Sequence, residues 1–253
     1  MKLILRWLNA VGLVLVLIMN YLAETIPIGG QTTGEIAARY PVLIQPAGYA
    51  FGIWTVIYAL LIGFVWFSFT AKGKASSAIN AIGIYFFLSC LFNAAWLVLW
   101  HLEKLASSVT IMFALLLALI LIYTGVRQKT IRSLTRAERL WVLLPFSLYL
   151  GWICVASIVN VSVALYASDW NRLGLSEEAW TVIMLLVAAL LCIWVGRKYR
   201  DGAFMAVFVW AFVAIGVNNG GKHPVIAWTA YSLATLIAVL AVYTLFRGRQ
   251  KRL

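Results

Sequence analysis

Charge is scarce in this sequence. Only 11% of its 253 residues are Asp, Glu, Lys or Arg, whereas 64% are hydrophobic. A soluble protein carries about 25% charged and about 45–50% apolar residues. Such a chain cannot cover itself with a polar surface, which excludes a soluble globular fold, and its hydrophobicity excludes disorder. Cysteine is scarce too: Cys90, Cys154 and Cys192 each sit alone in an apolar run, without disulfide or metal spacing. His101 and His223 have no partner at metal-ligand spacing, and no phosphate-binding loop, G-x-S-x-G or H-E-x-x-H motif occurs. No ionisable residue falls near the middle of an apolar run. That counts against proton relays and ion paths, which need intramembrane charge.

What is present is a series of long apolar runs. We expect an all-α polytopic transmembrane helix bundle with eight spans: Ile4–Ala23, Gly48–Phe69, Ile79–Trp100, Leu105–Val126, Leu140–Tyr166, Ala179–Gly196, Gly202–Val217 and Val225–Phe246. A helix crosses about 30 Å of hydrocarbon with about 20 residues, and lipid-exposed backbone must satisfy its own hydrogen bonds. The first run reads as a retained span, since Tyr21 stands where signal cleavage demands a small residue.

The net charge of +12 follows the loops. All of the 20 basic residues except Arg39, Lys104, Arg172 and Lys222 fall at the N-terminus, in 70–78, 127–139 and 197–201, or in the tail. The alternate loops hold most of the acids. By the positive-inside rule both termini are expected in the cytoplasm (N-in/C-in), and the positive charge reads as a topology signal with membrane lipids as its partner, not nucleic acid. With no transit peptide or retention signal in view, a bacterial inner (plasma) membrane is the expected location.

Many of the 12 Trp lie near span ends, as an interfacial belt does; Trp170 and Trp180 are among them. Trp54 and Trp152 lie deeper, with Trp96 one turn in. In the second span Phe51, Trp54 and Tyr58 are spaced to share a helix face. Ser89, Asn93, Trp96 and Trp100 do so in the third, and Tyr149, Trp152, Ala156 and Asn160 in the fifth. By depth, all three faces fall mostly in the outer half of the bilayer. Asn93 and Asn160 suit two readings: inter-helix hydrogen bonds, or the polar contacts of a flat aromatic pocket. The outer segment 24–47 is long for a connection within a bundle and rich in proline and glycine, which suggests a lid.

Three patterns, in order, resemble the tryptophan-rich sensory protein family, also called translocator or peripheral benzodiazepine receptor (TspO-like) proteins. They are Gln45-Pro46-Ala47 leading to Phe51-x-x-Trp54-x-x-x-Tyr58, Asn93-x-x-Trp96, and Tyr149-x-x-Trp152-x-x-x-Ala156-x-x-x-Asn160. The resemblance covers 1–166. It implies a five-helix membrane unit with an external loop 24–47; three additional helices and a basic cytoplasmic tail occupy 167–253. It also implies a receptor or carrier for tetrapyrrole or sterol-like molecules, with porphyrin or haem as ligand, no required cofactor and homodimers. Phe51, Trp54, Tyr58, Asn93, Trp96, Tyr149, Trp152, Ala156 and Asn160 would then be the ligand-binding residues, with no catalytic or metal-binding residue. The alternatives are a secondary transporter of a small apolar solute and a light-dependent porphyrin-degrading enzyme. The lead-in to the second helix lacks the family's Trp and paired prolines, which counts against the enzyme. Two sterol-type patterns, Leu121-x-Tyr123-x-x-x-Arg127 and Leu240-x-x-Tyr243-x-x-x-Arg247, fall elsewhere than after the fifth helix.

Overall fold

The computed structural model describes residues 1–130 and 134–250, with side chains for 1–128 and 134–244. Arg132 in the basic loop and the ends of the tail and of the second sterol-type pattern lie outside what is described. Among the described residues the secondary structure is helical throughout. Seven helices are long and apolar enough to cross a membrane, and an eighth apolar helix, Tyr85–His101, is shorter.

The chain divides into two compact units. One comprises Met1–Arg39 and Ile53–Ile153, the other Tyr40–Gly52 and Cys154–Leu253. In the first unit α1 (Leu3–Thr25) is followed by a short α2 (Thr33–Ala38), then α3 (Ile53–Phe69), α4 (Ala71–Ala75), α5 (Ser77–Ile82), α6 (Tyr85–His101) and α7 (Leu105–Thr130). Helix α6 packs on α1 and α7, and α5 packs on α7. The expected single third span is instead two helices. Gly83 adopts φ 56°, ψ −133°, a conformation open essentially to glycine alone, and it ends α5 before α6 begins. In an apolar run this glycine gives no signal of its own.

A three-residue turn, α8 (Arg136–Glu138), is capped by Thr135 and Glu138, each bonding the other's backbone. It runs through a π-helical turn, Arg139–Leu143, into α9 (Leu144–Ala167). The wider turn precedes Pro145, which has no N–H to give the ladder. Arg127 stacks on the Tyr123 ring at 4.3 Å and donates to the Ser147 hydroxyl at 3.1 Å. The Tyr and Arg of the first sterol-type pattern are therefore buried against each other.

The second unit holds α10 (Glu177–Tyr199), α11 (Gly202–Asn219) and α12 (Pro224–Gln250), each packed on the others. Ser176 caps α10, whose first turn carries Glu177 and Glu178 and whose last turn carries Arg197 and Lys198. Both placements suit the helix dipole. Asp201 caps α11 through the Phe204 N–H.

The long connection between α1 and α3 is anchored in two parts. In the first unit the α2 stretch has a capping box between Thr32 and Glu35 and buries Ile36 and Ala37. Its backbone accepts a bond from Trp100 at Thr33, and Arg39 pairs with Glu103 at 2.7 Å. In the second unit, 40–52 is strapped to α11. Asn219 donates to the Leu43 carbonyl, Asn218 to the Gln45 carbonyl and the Trp210 indole to the Ala50 carbonyl, at 2.9–3.0 Å. The Ala47 N–H reaches the Ala214 carbonyl at 3.1 Å.

Candidate functional site: an aromatic box and a second cleft

Trp54 and Tyr58 stand one turn apart on α3, so their rings stack, with centroids 5.1 Å apart and 16° between planes. From α9, Tyr149 and Trp152 meet Trp54 edge-on, at 5.7 Å and 6.4 Å. These are the T-shaped arrangements that ring quadrupoles favour. Asn93 on α6 donates to the Tyr149 hydroxyl at 3.0 Å and accepts from Asn20 on α1 at 3.2 Å. Asn20 also donates to the Val16 carbonyl at 2.9 Å. Four helices of the first unit thus meet at one aromatic and polar node, in which Asn93, Tyr149 and Trp152 are each 2% exposed and Trp54 is half-buried. The Tyr58 hydroxyl is buried beside Asn93 and Tyr149, and among the described residues no partner meets it at full hydrogen-bond geometry. Leaving such a group unmatched costs about 1–3 kcal/mol, so an acceptor brought to it would be favoured.

Of the nine residues selected from the sequence, Trp54, Tyr58, Asn93, Tyr149 and Trp152 come together here. Trp96 stacks on Trp100 of its own helix at 5.6 Å. Phe51, Ala156 and Asn160 belong to the second unit. Asn160 is buried and Ala156 half-buried, respectively two turns and one turn along α9 from Trp152. Phe51 lies in a 3-10 turn, Gly48–Gly52, immediately ahead of α3. Asn20 was not selected from the sequence, although a lone amide in the apolar run of α1 is the kind of residue that bonds across membrane helices.

The second unit contains a cleft with about 450 Å³ of empty volume, part of it open to the exterior. Its walls are Pro41–Ile44 of the strap, the end of α9, the following loop and the start of α10. Trp170 and Trp180, expected as interfacial belt residues, meet in it at 4.8 Å and 72°. Arg172 and Glu177 stand beside them, 3.5 Å apart. The signal in the sequence was two tryptophans bracketing a short segment that carries Arg172, Glu177 and Glu178.

The family model for TSPO-like protein matches residues 6–243, a stretch that includes all three motifs and continues through α10, α11 and most of α12. No curated protein and no solved structure matches the chain. With its apolar helices and a match over nearly its whole length, this integral membrane protein belongs to the TSPO-like protein family.

Proposed function

We propose that the protein is a non-enzymatic membrane receptor or carrier for a flat hydrophobic ligand, tetrapyrrole or sterol-like, received at the aromatic box of the first unit. One observation carries the reading: a buried tyrosine hydroxyl that no described residue meets at full hydrogen-bond geometry stands next to a half-buried tryptophan in an otherwise apolar cluster. A planar ring stacking on Trp54 would present a polar edge to Tyr58. Burial of apolar area contributes little net affinity here, because the free ligand already dissolves in lipid. Ring stacking, worth about 0.5–1.5 kcal/mol per pair, and the Tyr58 hydrogen bond then supply the selectivity.

The test is a titration of protoporphyrin IX into the protein in nanodiscs, followed by the shift of the porphyrin Soret band. Tyr58→Phe is expected to weaken binding about 2- to 12-fold, from a hydrogen bond of about 0.5–1.5 kcal/mol. Trp152→Phe should weaken it several-fold while leaving thermal stability nearly unchanged. Porphyrin absorbance should survive illumination of the complex; its light-dependent loss would favour the enzyme. Unchanged binding in a combined Trp54→Phe, Trp96→Phe and Trp152→Phe variant would remove the site. Ligand counterflow in proteoliposomes separates a carrier from a receptor.

A further inference from the structure

The cleft of the second unit has the makings of a binding site of its own. Its floor is fixed, because Asn218 and Asn219 hold the backbone of the strap that forms it. Most of its wall is apolar or aromatic, with Leu43, Tyr166, Trp170, Trp180 and Met184 among the lining residues. The charged groups in that wall are Arg172 and Glu177.

Their pairing is loose. A guanidinium and a carboxylate that bond well stand about 2.7–2.9 Å apart, often through two parallel bonds. Here one Arg172 nitrogen is 3.5 Å from one Glu177 oxygen, and the buried Arg172 Nε has no hydrogen-bond partner among the described residues. The planar edge of the guanidinium is therefore under-used inside a cleft. The backbone holds it there at some cost. Arg172 and Leu173 are consecutive non-glycine residues in the left-handed region, at φ 55° and 57°, and Asn171 accepts from the Leu173 N–H to secure the turn. Strain of this kind persists where the surrounding structure imposes a geometry.

We propose that this cleft binds an amphipathic monocarboxylate: the carboxylate takes the free edge of Arg172, and the apolar body lies between the strap and the Trp170–Trp180 pair. The site shares no residue with the aromatic box, and neither proposal depends on the other.

Bromoundecanoate tests it, because bromine quenches tryptophan fluorescence on contact. Titrated into the protein in phosphatidylcholine nanodiscs, it should give a saturable quenching component on top of the linear one due to probe dissolved in lipid. Bromoundecanol, with the same body and no charge, should give the linear component alone. Replacing both Trp170 and Trp180 with Phe should abolish the saturable component, whereas Trp152→Phe should leave it unchanged. Arg172→Gln should weaken binding about tenfold or more, since the charge-assisted bond is lost. Glu177→Gln removes the competing carboxylate and should tighten binding several-fold, a gain that misfolding cannot produce. Equal midpoints for wild type, Arg172→Gln and Glu177→Gln, or saturation by the alcohol at the same midpoint as the acid, would overturn the proposal.

Discussion

Asn20, Asn93 and Tyr149 form a chain of side-chain bonds across three helices. Hydrogen bonds between membrane helices contribute about 0.6–2 kcal/mol, so Asn20→Leu should lower the thermal unfolding midpoint in detergent. Tyr149→Phe removes the oxygen that accepts from buried Asn93 and should cost about 1 kcal/mol in the same assay. Outside the membrane, Glu35 accepts from the backbone and hydroxyl of Thr32, and these bonds hold its carboxyl below the usual range. A depressed value in the folded state means that the cap is at full strength above the ordinary carboxylate pKa of about 4.3 and is lost as pH falls through the lower folded value. Amide protection factors in α2 should therefore be flat from neutral pH to about 5 and decline below about 4. Hydrogen-exchange measurements across that range check it.

Helix identity was legible because apolar runs bounded by charge leave little choice inside a membrane; α1, α7 and α10 lie close to where their runs place them. The break at Gly83 was not, since a glycine flanked by Ile82 and Ile84 keeps the run apolar. Gly83→Ala forces a Cβ into that backbone conformation and should destabilise the first unit by about 1–3 kcal/mol, read as a lower unfolding midpoint. Close approach gives glycine a different role in the second unit. A Cβ at Gly216 would lie 2.5 Å from the Tyr231 ring, so α11 and α12 pack against each other through the missing side chain. Gly216→Val should cost about 1–3 kcal/mol by overpacking, and pairing it with Tyr231→Ala should restore part of the loss.

At the scale of the whole molecule, the charge asymmetry of the loops predicts which side each faces. In a background with Cys90, Cys154 and Cys192 replaced, a cysteine at the exposed position of Glu35 should react with an impermeant maleimide in intact cells. One at Lys74 should react only after permeabilisation. Labelling of position 74 from outside would reverse the assignment of both termini to the cytoplasm. The aromatic box was partly legible, because Trp54, Tyr58, Tyr149 and Trp152 carry their spacing in the sequence. The cleft was not, because it joins Pro41–Ile44 to residues more than a hundred positions away and depends on Asn218 and Asn219, whose role as anchors no local pattern reveals. Those anchors also mark a seam. On one side of the Arg39–Tyr40 peptide the connection is fastened to α6 and Glu103; on the other it is fastened to α11. A protease site inserted there could be cut without releasing either end, and the nicked protein should run as two bands on a denaturing gel yet migrate as one species in detergent. That junction is accordingly the natural place to open the chain for new termini or a reporter.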